Sequence, residues 1–213
     1  MKTAIIADDH QLVRDTIGPL LEERLDVKVV AGAEDGRTAV DLVVELKPDI
    51  VLMDVSMPRL NGIEATRQIV SQSPDTKVLG LSMHSDTRFV TRMLQAGASG
   101  YFVKDSGVFE LLEAVRTVLD GRRYLPPAIA SEDIKGVVDE NPGKSPLTPR
   151  EREVLQLIAE GRTTKAIAAE LCIAAKTAEA HRGKIMHKLG IHSVAELTKY
   201  AIREGLVPFD GDL

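Results

Sequence analysis

Short apolar, largely β-branched runs punctuate the first half of the chain: Thr3–Ala7, Val27–Ala31, Ile50–Met53, Lys77–Leu81 and Gly100–Val103. Each has the length of a strand rather than a helix, and the unbroken third run predicts a strand buried on both faces. Helical periodicity fills the gaps. Leu12, Val13, Ile17, Leu20 and Leu21 recur at three- and four-residue steps, as do Ile63, Thr66, Arg67, Ile69 and Val70 less regularly. Leu111, Leu112, Val115, Val118 and Leu119 mark one side of a last helix in this part. Strand and helix alternating in this way predict an α/β fold, a doubly wound parallel five-stranded sheet covered on both faces, over residues 1–122.

The pattern then breaks. Pro126-Pro127, Asn141-Pro142-Gly143 and Ser145-Pro146 mark residues 123–146 as a linker, with one short helix expected near Ala128–Val138. Residues 147–213 read as a small all-α domain of four helices. Thr148-Pro149-Arg150-Glu151 offers an N-cap, a first-turn proline and a capping-box glutamate. Gly161 stops that helix, and Thr163 or Thr164 caps a short second one carrying Ile167, Ala168 and Leu171. A tight break at Cys172-Ile173-Ala174 precedes a third helix, Ala175–Leu189, with Ala178, His181, Ile185 and Leu189 as its buried stripe. Ser193 and Glu196 form the capping box of the fourth. Two helices joined by so short a turn give a helix-turn-helix layout.

Composition narrows the class. With 44% hydrophobic and 28% charged residues the chain is neither disordered nor built from membrane spans. Acidic residues arrive too early for a secretory leader, and the single cysteine, Cys172, suits a reducing compartment, so a cytoplasmic protein without membrane attachment is expected. The formal net charge of −5 is unevenly spread: residues 147–213 carry 10 Lys+Arg against 9 Asp+Glu, so the excess of acid lies entirely before them. An acidic first part and a slightly basic second part point to two separate tasks.

In an open α/β sheet the functional groups gather beyond the carboxyl ends of the strands. Those ends carry Asp8-Asp9, Asp54, Ser82 and Lys104. Close carboxylates repel and favour a hard cation, for which Mg²⁺ is suited. A carboxylate beside Mg²⁺ can attack phosphorus, while an ammonium and a hydroxyl stabilise the phosphoryl oxygens. Asp54 is expected just past the buried strand, at its rim, where Mg²⁺ and Lys104 compensate it.

With Asp8-Asp9, Asp54 in MDVSMPRLNG, Ser82 in LSMH, and Tyr101 and Lys104 in GYFVK, the first domain resembles the receiver domain of bacterial two-component response regulators. The resemblance implies a flavodoxin-like sheet of order 2-1-3-4-5, with Asp54 as phosphoacceptor from a sensor histidine kinase. It further implies Mg²⁺ held by Asp9, Asp54 and the backbone carbonyl of Ser56, with Asp8 assisting. Ser82 and Tyr101 would relay phosphorylation to the surface of the fourth helix, fifth strand and fifth helix. Asp105 stands where many receivers have proline, a variation common in receivers joined to the output domain described next.

Residues 147–207 resemble the four-helix LuxR/NarL-type DNA-binding domain, through Thr148-Pro149-Arg150-Glu151, Gly161, Lys165, Ile167-Ala168, Lys176-Thr177, His181 and Lys188-Leu189. That implies a third helix lying in the major groove of double-stranded DNA, with Lys165 and Thr177 near the backbone, Thr163 and Thr164 also among the DNA-binding residues, and Glu179, Ala180 and Gly183 facing bases. Lys176, Arg182, Lys184 and Lys188 supply positive charge for phosphates, offset only by Glu179. Ala174 stands where relatives have a capping serine, a loss of ~1 kcal/mol. Gly183 in mid-helix costs about 1 kcal/mol relative to alanine. Together the two resemblances imply a phosphorylation-dependent transcription regulator that dimerises on activation, the last helix being its contact in the output domain. The alternatives are a DNA-binding regulator with a silent receiver and an aspartyl-phosphate phosphohydrolase. The latter usually carries a second aspartate two residues beyond the nucleophile, where Ser56 stands.

Overall fold

The computed structural model describes residues 1–83, 87–126 and 146–207. The chain divides into two compact units, one within residues 1–142 and one within 143–213. The short helix expected near Ala128–Val138, and His84 of LSMH, lie outside the described residues.

The first unit alternates β1 (Lys2–Ala7), α1 (Gln11–Leu25), β2 (Val27–Ala33), α2 (Gly36–Leu46), β3 (Ile50–Asp54), α3 (Gly62–Gln72), β4 (Lys77–Ser82), α4 (Thr87–Gln95), β5 (Gly100–Val103) and α5 (Val108–Leu119). All neighbouring strands are parallel, in the order β2-β1-β3-β4-β5. The two apolar faces of the sheet seed two cores. Ile5, Val51, Met53 and Val78 meet Val40, Ile63, Ile69 and Met93 on one side. Ile6, Ile50, Leu52 and Leu79 meet Ile17, Leu21, Val115 and Val118 on the other. Each such fully buried aliphatic side chain stabilises the fold by about 1.5–3 kcal/mol.

Three sequence expectations are corrected. β2 runs two residues past Ala31, because the register slips at Val30 and Ile6 and Ala7 then pair with Gly32 and Ala33. Leu12, read as part of the apolar repeat of α1, is 78% exposed. It sits in the first turn, where periodicity alone does not say which side the sheet covers. Asp54 is not beyond the strand. It is the last residue of β3, pairs with Leu81, and is 4% exposed.

Beyond α5 the chain returns along the outer edge of β5. The Tyr101 N–H donates to the Tyr124 carbonyl at 3.0 Å, and the Tyr124 N–H donates to the Ser99 carbonyl at 3.3 Å.

The second unit comprises α6 (Pro149–Ala159), α7 (Thr164–Glu170), α8 (Ala175–Leu189) and α9 (Val194–Arg203) around a core of Val154, Leu155, Leu157, Ile167, Ala178, Ile185 and Leu197. Thr148 and Glu151 form the expected capping box. Thr163, rather than Thr164, caps α7, accepting from the Ala166 N–H at 3.2 Å. Ser193 caps α9, and Glu196 reaches back to the Ser193 hydroxyl and the His192 N–H. Ala174 precedes α8 without a side-chain cap. On α8 the buried stripe narrows to Ala178 and Ile185, with His181 and Leu189 only half-buried.

Candidate functional site

At the carboxyl edge of the sheet the ends of β1, β3 and β5 bring Asp8, Asp54 and Lys104 together. Lys104 Nζ lies 2.6 Å from Asp8 Oδ2 and 3.2 Å from Asp54 Oδ1, bridging the two buried carboxylates. Asp8 is fully buried and its Oδ1 also accepts the His10 N–H at 2.9 Å. Asp9 faces outward, beside His10 Nδ1 at 2.8 Å. One ligand atom from each of Asp8, Asp9, His10 and Asp54 falls within 4.8 Å of the others.

The electrostatics follow from burial. Asp54 is pushed up to about 6, first by desolvation and also by the Asp8 charge, against the opposing pull of Lys104 and of the Ser56 backbone N–H. Burial pulls Lys104 down, but the Asp54 and Asp8 carboxylates outweigh it and hold the ammonium above its ordinary range. Excess negative charge in a poorly solvated cleft, presented as oxygen donors, is the chemistry a hard divalent cation fits. Ser82 ends β4, one position beyond the Leu81 that pairs with Asp54, and is buried. Tyr101 is completely buried in the core that also holds Val90 and Met93 of α4.

His10 was missed from the sequence, although it directly follows the acidic pair. Asp35 and Arg59, close to the loop after β3, were missed too. Their ion pair, 2.9 Å long, spans residues that nothing in the local sequence pattern relates.

In the second unit, α7 and α8 are joined through Cys172, whose φ of 52° makes the sharp left-handed turn. Arg150 braces this turn by donating to the Leu171 carbonyl at 2.7 Å while pairing with Glu153. Lys176, Thr177, Glu179, Ala180, Gly183 and Lys184 are exposed along α8, Arg182 is half-buried, and Lys165 is exposed on α7. Among the described residues Lys165, Lys176, Arg182 and Lys184 make no ion pair. Lys188 differs: its Nζ is 2.7 Å from Glu151 Oε2, tying the end of α8 to the start of α6. Glu151 is held below the usual carboxylate range, burial acting against the stronger combined effect of Lys188 and Thr148. Glu179 accepts from the Thr164 hydroxyl at 3.2 Å, and this joins the exposed side of α8 to the first residue of α7.

Comparison with known proteins places both units. The response regulator receiver domain family matches residues 4–116, and the luxR family of bacterial regulatory proteins matches residues 145–201. The transcriptional regulatory protein DegU of Brevibacillus brevis is 38% identical over 95% of this chain and 94% of its own length. The oxygen regulatory protein NreC of Staphylococcus carnosus is 39% identical over 96% of this chain and 99% of its own. Among solved structures, RcsB of Salmonella enterica serovar Typhimurium, bound to promoter rprA with phosphomimetic BeF₃⁻, is 28% identical with a TM-score of 0.57. That match covers 94% of this chain and 98% of RcsB. These relatives are regulators and not enzymes, which sets the phosphohydrolase reading aside. The chain belongs to the LuxR-type response regulators of two-component signalling, a receiver domain followed by a LuxR-type DNA-binding domain.

Proposed function

We propose that Asp54 is the phosphoacceptor of a phosphorylation-dependent transcription regulator, the donor being the phosphohistidine of a sensor kinase. The observation that carries this is Lys104 Nζ, placed between Asp8 and Asp54 at the end of a buried strand. An Asp54 oxygen attacks phosphorus, a P–O bond forms as the P–N bond breaks, and the electron pair leaves with the histidine nitrogen. Lys104 and the Ser82 hydroxyl would stabilise the phosphoryl oxygens. Asp9, Asp54 and the Ser56 carbonyl, with Asp8 beside them, would hold Mg²⁺. When bound, Mg²⁺ supplies charge neutralisation for the phosphoryl group and its acceptor.

The added charge, about −1.5 to −2, needs a packed element to carry its effect outward. Ser82 and the buried Tyr101, adjoining α4 and β5, are the residues assigned to that relay. In the second unit Lys165, Lys176, Arg182 and Lys184 contact phosphates, with Thr163, Thr164 and Thr177 at the backbone and Glu179, Ala180 and Gly183 toward base edges. Lys188, held by Glu151, contributes less. The active form is a homodimer on paired half-sites, with α9 the contact in the output domain. Consistent with a cytoplasmic regulator, no helix among the described residues is long and apolar enough to cross a membrane.

A radiolabelled phosphodonor tests the acceptor: wild type takes up stable label and the Asp54→Ala variant takes up none. Operator affinity measured for both forms at matched salt tests the switch. Equal affinity with and without phosphorylation would refute it.

A further inference from the structure

The loop between β3 and α3 is pinned more firmly than a connection needs to be. It begins at Val55, whose N–H stays in the sheet by donating to the Leu81 carbonyl at 2.9 Å. It ends with Asn61 capping α3 through the Glu64 N–H at 3.0 Å. The Gly62 N–H folds back onto the Val55 carbonyl at 3.0 Å. A Cβ at Gly62 would stand 1.9 Å from the Asp54 carbonyl oxygen, so only glycine lets the chain return this closely. Ser56, whose N–H reaches the Asp54 carboxylate, lies inside this closed loop.

A second clamp comes from the corner between β2 and α2. The Gly36 N–H donates to the Leu60 carbonyl at 3.1 Å, and a Cβ on Gly36 would lie 2.1 Å from that oxygen. Next to it, buried Asp35 caps α2 with one oxygen, accepting the Arg37 and Thr38 N–H groups at 2.8 and 2.9 Å. Capping would be complete with that oxygen alone. The other accepts from the Thr38 hydroxyl and from the Arg59 guanidinium, each at 2.9 Å. Arg59 adopts φ 67° in the middle of the loop, a conformation that side chains other than glycine and asparagine rarely take. A strained residue kept in the loop that follows the reactive carboxylate, with its side chain tied down, points to a positional task.

We propose that Asp35 and Arg59 are positioning residues for the phosphoryl site: their ion pair holds the loop against α2 and sets where the Ser56 main chain stands relative to Asp54. The inference rests on Asp54 being the phosphoacceptor with Mg²⁺ beside it. Asp35 and Arg59 each act through the loop that supplies the Ser56 carbonyl as a metal ligand, much as the outer hydrogen-bond partners of metal ligands govern affinity elsewhere.

The test is Mg²⁺ affinity of the full-length chain by isothermal titration calorimetry, alongside its melting temperature. Two variants separate position from folding. Arg59→Gly removes the ion pair while relieving the left-handed backbone. Asp35→Asn keeps an equally good helix cap and removes the charge. Each is expected to weaken Mg²⁺ by about tenfold, the lower end of what losing such an outer partner costs. Combined, they should weaken it no more than the worse single change, because both cut one interaction. For transfer from a small acyl phosphate, kcat/KM should fall in parallel, while both variants keep a single cooperative melt of the receiver well above the assay temperature. Unchanged Mg²⁺ affinity in both variants, or effects that add, would overturn the positioning role. A wild-type chain that binds no Mg²⁺ and takes no phosphate would instead overturn the phosphoacceptor reading beneath it.

Discussion

Without divalent cations, wild type should be less stable at neutral pH than the Asp54→Asn variant, an isosteric change that removes only charge. The native pKa of about 6 against an ordinary 3.8 means the folded protein favours the protonated carboxyl. The native state thus binds more protons than the unfolded one between these values. Stability is therefore intact below about pH 4 and declines as pH rises through 6. At 1.36 kcal/mol per unit, the charged form costs about 3 kcal/mol at pH 7.5. That figure is already net of the attraction to Lys104, and an amide NH₂ turned toward that ammonium would offset part of it. The expected net gain is therefore about 1–3 kcal/mol, several degrees in the melting of the receiver. Differential scanning calorimetry in EDTA at pH 7.5 and at pH 4 measures it, resolving the receiver transition from that of the second unit. The advantage should vanish at pH 4. Millimolar Mg²⁺ should stabilise wild type selectively, since ligand bound to the native state adds RT ln(1 + [L]/Kd). A variant no more stable than wild type at pH 7.5, or equally favoured at pH 4, would refute the assignment of desolvation as the dominant influence on Asp54.

Other consequences are testable on the second unit. Lys184→Ala should reduce the dependence of log K on log salt by about 0.9, one phosphate contact, while Lys188→Ala leaves that slope nearly unchanged and lowers the melting temperature through Glu151. Glu179→Gln should change the base preferred at one position in each half-site, read by selection from randomised duplexes, because a carboxylate accepts only and favours the amino group of cytosine. An identical selected motif would exclude Glu179 from base reading. Ala174→Ser and Gly183→Ala should each stabilise this unit by about 1 kcal/mol in denaturant melts, the first by supplying a missing cap and the second because its Cβ meets nothing within 4 Å.

The reach of sequence reasoning followed the range of the interactions. Strand–helix alternation, the caps at Thr148 and Ser193, the missing cap at Ala174 and the bare Gly183 were legible because each depends on neighbours a few positions away. The convergence of Asp8, Asp54 and Lys104 was legible through topology, since equivalent strand ends share one edge. The depth of Asp54 was not, because main-chain pairing with Leu81 leaves no trace in side-chain pattern. Nor was the engagement of Lys188 with Glu151, 37 residues away, or of Arg59 with Asp35, 24 residues away. Ion pairs at such separations are decided by packing geometry, and a charged residue looks the same in sequence whether it faces water or a buried partner.

The short return of chain at Tyr124 bears on how copies of this protein can meet. An uncapped border strand offers its amides to any passing strand, and sheets exposed in this way tend to join edge to edge. Here the chain supplies its own closing rung, so a second copy could not pair with the Tyr101 amide without displacing Tyr124. Association through sheet extension is hindered at that border, and β2 remains as the other edge strand of the sheet. A chain cut before Tyr124 would uncover the Tyr101 amide and should aggregate more readily than one ending a few residues later.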